Sequence, residues 1–325
     1  MPFLGHAILD AEMDSAGGPY PLAIFVHGLG GGTLSSIYLC EHLASQGFIV
    51  IAIDYADSGD LSTQTDPALS LFTRPKDVSW QIDYMGRLNV DKNSKLQGMI
   101  DLEHIALIGH SFGGYTTLVA GGALVDLTGP TSWCLKEPNK DLPAEIGGGT
   151  LQDRFCSHAQ EVANLADLKA VPDGLWPSWG DPRIDVLVSL APWLPYFGAE
   201  STKTITIPTM LMYGTKDHIV WTEDTLYQPY AYDNLSSKTK SLVLFDQADH
   251  SVFGTDCSSA SWLADVGFFW ACSDQVWDMD RAHDLINHFT TAYLLDQLKG
   301  DKEAAKALAP DAVSFPGIEY KAQGF

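Results

Sequence analysis

The stretch ALIGHSFGGYTTL, residues 106–118, sets Ser111 between Gly109 and Gly113, where an apolar run gives way to helix-forming residues. With 29 glycines in 325 residues, a GxSxG pattern alone carries little weight. A strand, a tight turn and a helix around it change that. They form a nucleophile elbow, in which the serine is held in strained backbone geometry at the carboxyl edge of a sheet. Glycines at 109 and 113 fit, because a β-carbon there would clash with the adjoining strand or helix. The helix beyond Ser111 would also aim its positive end at the site. The plain alternative is a glycine-rich turn whose serine faces water.

A serine hydroxyl is a poor nucleophile until a base takes its proton, so a histidine must lie within reach. Ten are present. The base of an elbow fold belongs in the loop after the last strand, where SLVLF is followed by Asp246-Gln247-Ala248-Asp249-His250, making His250 the candidate. The others have structural readings: His110 pinned inside the elbow, His27 under the loop it begins, His283 and His288 on the terminal helix. An acid must orient the imidazole and stabilise its cation. Asp217 in TMLMYGTKDHIV, four residues past Tyr213, is the choice over Asp185, which begins a strand at the wrong edge, over Asp246, and over Asp249, which neighbours His250 and cannot easily face its ring. A tetrahedral intermediate needs two backbone N–H donors for its oxyanion. Phe112 would supply one, and Leu29 in His27-Gly28-Leu29-Gly30-Gly31-Gly32 the other. A dinucleotide-binding reading of that glycine run fails, because GLGGG does not match GxGxxG in phase with a helix start.

The elements that must position these groups are legible as alternating apolar runs and amphipathic stretches, the pattern of an α/β protein with a mostly parallel, doubly wound sheet and helices on both faces. Strands are expected at Leu22 to Val26, Phe48 to Asp54, His104 to Ile108, Ile184 to Leu190, Thr209 to Tyr213 and Ser241 to Phe245. Helices are expected at Ser36 to Ser45, at Lys76 to Leu88 entered through Pro75, at Phe112 to Leu124, and at Arg281 to Leu298 stopped by Gly300. Two segments break the rhythm: 125–183, rich in Gly, Pro and Trp, and 251–279. Insertions of this length are usually functional loops or lids. No repeat or linker-like run divides residues 1–325, so one domain with elaborated loops is expected.

Forty-one acidic against 19 basic residues give a formal charge of −22. That balance repels phosphate backbones and disfavours nucleic acid as a partner; it reads as a solvated surface that favours a monomer. No apolar run approaches the ~18 residues a membrane span needs. MPFLGHAILD lacks a charged leader and an apolar core, so no signal peptide is expected in it. Cys40 lies in a helical pattern as a small buried apolar residue. Cys134 and Cys156 share one insertion and Cys257 and Cys272 flank SSASWLADVGFFWA in the other, which reads as two local disulfides and, if they form, favours export. No CxxC or His-Cys cluster suggests zinc, and no metal or cofactor is expected.

YPLAIFVHGLGGG, HLASQGFIVIAIDY, GHSFGGYTTLVAGGA and DPRIDVLVSLAPW together resemble the bacterial predicted dienelactone hydrolases and platelet-activating-factor acetylhydrolase relatives, and more loosely the cutinase-type polyester hydrolases. The order Ser111, Asp217, His250 is that of α/β-hydrolases. The resemblance covers most of residues 16–300 and implies an α/β-hydrolase fold and serine carboxylic-ester hydrolysis without a cofactor. Departures narrow it. Dienelactone hydrolases use a cysteine where this chain has Ser111, and the acetylhydrolases carry their acid where Ala191 stands. Cutinase-like enzymes carry it at the place of Asp217, with an aromatic platform at the place of Trp193 and Ile219 lining the same cleft. The family usually begins with further strands, for which Phe3 to Ala11 is the segment that would stand in. The expected activity is a serine carboxylesterase on small or polymeric esters; its rivals are a lipase or polyester hydrolase, a serine peptidase or amidase, and a non-catalytic binding protein. Trp262, Phe268, Phe269, Trp270 and Trp277 would either overhang the cleft or pack as core on the terminal helix.

Overall fold

The computed structural model describes residues 3–58, 67–130, 132–136, 138–142, 148–198, 200–220 and 227–325. Runs such as Leu22–Val26, Ile105–Ile108 and Val186–Leu190 are buried on both faces, as strands covered by helices from above and below must be. They build a seven-stranded sheet in the order β2-β1-β3-β4-β5-β6-β7, parallel except for its last member. The strands are β1 (Tyr20–Val26), β2 (Ile49–Ala52), β3 (Ile100–His110), β4 (Val186–Leu190), β5 (Thr209–Gly214), β6 (Lys240–Phe245) and β7 (Ile318–Gln323). The helices are α1 (Ile37–Ser45), α2 (Pro67–Val90), α3 (Phe112–Ala120), α4 (Trp133–Lys136), α5 (Leu151–Arg154), α6 (Ala159–Leu165), α7 (Tyr227–Asn234), α8 (Ser261–Asp265), α9 (Met279–Lys299) and α10 (Lys302–Ala307). This is the α/β-hydrolase architecture, with α4 to α6 in the first insertion and α8 in the second. Among the described residues no helix is long and apolar enough to cross a membrane.

All six expected strands form, and the differences have local causes. The antiparallel edge strand β7 was not expected. Its exposure alternates residue by residue, and only one face is covered. The third helix stops at Ala120 rather than Leu124, because Gly121 caps it and Gly122 turns away at φ 111°. Phe3 to Ala11 forms no strand; the N–H groups of His6 and Ala7 donate to the Glu41 carboxylate on α1 instead. Cys40 is half-buried rather than fully buried. Both cysteine pairs, Cys134–Cys156 and Cys257–Cys272, are joined.

Pro75 does not open its helix but lies within α2. A proline there frees the carbonyl four residues earlier, an uncompensated loss if that group is buried. Here the partner comes from the neighbouring helix: the Tyr115 hydroxyl of α3 donates to Leu71 O at 3.0 Å. Tyr115 is fully buried, and that burial pushes its phenol well above its ordinary pKa, so the group remains a donor. Tyr115→Phe therefore leaves a buried acceptor unsatisfied and is expected to cost about 1–3 kcal/mol in urea unfolding, with little change in m-value.

Candidate active site

The chain enters the elbow from β3, whose His110 pairs with Leu190 of β4, and leaves it into α3. Ser111, between them, has φ 59° and ψ −119°, a left-handed conformation that costs a non-glycine residue about 1–3 kcal/mol. Its neighbours hold it there: Ser111 N–H donates to Leu190 O at 2.8 Å, and Ser111 O accepts from Tyr115 N and Trp193 N at 3.1 Å each. The two glycines are required by space. A β-carbon on Gly109 would collide with the Gly113 carbonyl, and one on Gly113 with the Val26 carbonyl at the end of β1.

Asp217 and His250 stand on the loops after β5 and β6, at the same carboxyl rim of the sheet. Asp217 is fully buried, and its Oδ2 lies 2.7 Å from His250 Nδ1. Its other oxygen accepts the Ile219 and Val220 N–H groups, both at 2.9 Å, so the carboxylate is fixed in orientation. A carboxylate accepts only, which assigns the Nδ1 proton to His250 and leaves Nε2 as the free lone pair. The ring lies beside the elbow: His110 and His250 centroids are 4.7 Å apart, and His110 Nε2 donates to His250 O at 3.2 Å. Burial and the nearby His250 hold His110 well below the usual histidine pKa, so it stays neutral beside any charge His250 gains.

Of the proposed oxyanion donors, Phe112 N–H opens α3, where the first amides of a helix lack intrahelical acceptors. Leu29 N–H likewise meets no acceptor among the described residues. A β-carbon on Gly28 would lie 3.2 Å from Ser111 Cβ, which puts the glycine loop directly against Ser111. Trp193 adjoins Ser111 through its backbone, but the residue is only 5% exposed and its ring packs on Phe155 of the first insertion at 4.5 Å between centroids. Ile219 lies in the Asp217 loop and is also largely buried. The aromatic loop divides: Phe268 and Phe269 are exposed, Trp277 packs on Phe245, and Trp270 approaches His218.

Sequence reasoning dismissed Asp249 as the acid, and its ring-facing role is indeed taken by Asp217. What it missed is a second use. Asp249 Oδ1 accepts His250 N–H at 2.7 Å, His218 N–H at 3.0 Å and the His218 Nδ1 proton at 2.6 Å. The two Asp-His dipeptides, 217–218 and 249–250, are thus cross-paired and tie the two loops together. Asp249 N–H in turn donates to the Asp274 carboxylate, two residues past Cys272 of the second disulfide, at 2.7 Å. The repeated dipeptide was the signal available in the sequence.

His27, which begins the glycine loop, is fully buried; its Nδ1 donates to Gly28 O at 2.7 Å, and its Nε2 accepts from the Ser58 hydroxyl at 2.9 Å. Burial first, and the Arg74 charge second, lower its pKa to about 4. A depressed histidine binds fewer protons folded than unfolded. Stability is therefore full above about pH 6.5 and falls as pH drops toward 4, by roughly 3 kcal/mol. His110 shifts in the same direction, whereas Asp181 and Asp256, both lowered to about 2, act only in the more acid range. Urea midpoints across pH 7 to 4 should decline for the parent and decline less for His27→Gln; equal slopes would show that His27 is not a buried neutral group.

Among the described residues no group of His, Cys, Asp and Glu could hold a metal ion. The sequence profile of the alpha/beta hydrolase family matches residues 23–266, about three quarters of the chain. Cutinase est1 of Thermobifida alba is 36% identical over 141 residues, 41% of this chain and 44% of the relative. Cutinase est2 of the same organism is 36% identical over 115 residues, 34% of each. Platelet-activating factor acetylhydrolase of Cavia porcellus is 30% identical over 144 residues, 31% of this chain and 32% of the relative. The chain thus matches less than half the length of each of these relatives.

Proposed function

The chain belongs to the alpha/beta hydrolase family, and on that premise we propose that it is a serine carboxylic-ester hydrolase with Ser111, His250 and Asp217 as its catalytic triad. The observation that carries the reading is the buried Asp217–His250 pair, 2.7 Å apart, beside a serine in elbow geometry. Ser111 Oγ attacks the acyl carbon while His250 Nε2 takes the hydroxyl proton, and the carbonyl oxygen becomes an oxyanion held by the Leu29 and Phe112 amides. Asp217 stabilises the imidazolium. Collapse of the tetrahedral adduct breaks the bond to the alcohol oxygen, which leaves with the His250 proton. Water, deprotonated by the same nitrogen, then attacks the acyl-enzyme, and its collapse frees the acid and returns the proton to Ser111. Ile219 and Trp193 border the acyl group. No cofactor takes part in these steps.

The relatives named cutinase and acetylhydrolase support an ester over an amide substrate. Exposed Phe268 and Phe269 on the loop closed by Cys257–Cys272 support a second reading, action on insoluble or polymeric esters. The test is turnover of p-nitrophenyl acetate, butyrate and octanoate beside the matched p-nitroanilides, with an insoluble polyester alongside. Ester turnover well above that of the anilides is expected. Preference for the anilides would make the protein an amidase, and no turnover of either would remove the catalytic reading.

A further inference from the structure

The glycine loop rests on a buried ion pair that the catalytic steps do not use. Arg74 of α2 and Asp57 are both almost fully buried. Arg74 Nη2 lies 2.6 Å from Asp57 Oδ1, and Nε lies 3.0 Å from each carboxylate oxygen. The rest of the guanidinium is spent on two successive carbonyls: Nη1 donates to His27 O at 2.6 Å and Nη2 to Gly28 O at 3.3 Å. Its Cζ lies over two rings, 4.9 Å from the Phe112 centroid and 4.6 Å from that of Tyr55. One side chain thus contacts the loop carrying Leu29 and the residue supplying the other proposed donor.

We infer that the Arg74–Asp57 pair is a positioning device for the oxyanion-binding amide of Leu29. This rests on the esterase reading above. In a trans peptide the carbonyl and the following N–H point in opposite directions. Gly28 O is gripped from one side by Arg74, by His27 Nδ1 at 2.7 Å and by Gly31 N at 3.2 Å, so the Leu29 N–H is aimed the other way. Gly28, on the same peptide, sits against Ser111. Three donors on one carbonyl also polarise the peptide and strengthen its N–H as a donor. Stability alone does not call for such a pair: burying two ions costs several kcal/mol each, and a well-packed apolar pair of similar volume is often as stable or more so.

The test replaces the pair as a unit, Arg74→Met with Asp57→Leu, in the full chain, so that neither charge is left stranded. Parent turnover is first shown to depend on Ser111. The double variant is expected to fold with a lowered thermal midpoint, because the buried His27 carbonyl loses its Arg74 donor, and to lose about 100-fold in kcat/KM for p-nitrophenyl acetate, the loss that follows removal of one oxyanion donor elsewhere. A trifluoromethyl ketone, whose serine adduct carries an oxyanion, should weaken by a similar factor, while the matching unreactive ether keeps its inhibition constant within about twofold. A folded variant within about threefold of the parent, or one that loses ketone and ether alike, overturns the inference and leaves the esterase reading standing. Should the double variant fail to fold, Arg74→Lys decides. Lysine keeps the charge on Asp57 but cannot fork to both carbonyls, so a drop of about 10-fold is expected and an unchanged rate is contrary. A parent without Ser111-dependent ester turnover overturns the esterase reading and this inference with it.

Discussion

Ser111→Ala is expected to lower kcat for a p-nitrophenyl ester by on the order of 10⁶-fold, with a thermal midpoint at or above that of the parent. The size follows from loss of the nucleophile in well-characterised serine hydrolases, where the oxyanion hole and substrate binding sustain only a residual rate. The stability expectation follows from the backbone: Ser111 is held at φ 59° by its neighbours' hydrogen bonds, and alanine keeps all of these because they run through main-chain atoms. A stopped assay in a protein that melts like the parent separates chemistry from folding.

Asp217→Asn is the second large effect, about 10⁴-fold in kcat. The amide oxygen can continue to accept the Ile219 and Val220 N–H groups at the place of Oδ1. Its NH₂ then faces His250 Nδ1, which must accept rather than donate, so the ring proton moves to Nε2. A protonated Nε2 cannot take the Ser111 proton. The loss should therefore come with near-parental stability, read as an unchanged thermal midpoint. Asp249→Asn, by contrast, leaves the tautomer intact and is expected to cost far less, since Asp249 braces the backbone of the histidine loop and not its ring.

How much of this was legible follows from where each constraint resides. The elbow was readable because strand, glycines and helix are contiguous in the sequence, and Asp217 and His250 because each follows directly on a buried parallel strand, whose apolar run needs no partner to be recognised. The strand β7 was not, because only half its residues are covered and its pattern IEYKAQ looks like a polar tail. The helix α2 was mis-started because Pro75 is a good opening residue, and nothing nearby in the chain announces that Tyr115 will satisfy the carbonyl it frees. The Arg74–Asp57 pair was hidden for a similar reason. Arg74 is the only basic residue between Phe48 and Pro75 and lies in the apolar run ALSLFTRP, which hints at burial, but Asp57 looks like one of many surface acids in a chain of formal charge −22. Long-range polar satisfaction leaves no periodic trace.

The most direct test of the triad is covalent. The parent, Ser111→Ala and His250→Ala are each treated with a fluorophosphonate and digested, and the modified peptide is located by mass spectrometry. A single adduct on Ser111 is expected in the parent, none in Ser111→Ala, and one formed orders of magnitude more slowly in His250→Ala. An adduct on another residue, or ester hydrolysis that persists in Ser111→Ala at the parent rate, would contradict the assignment.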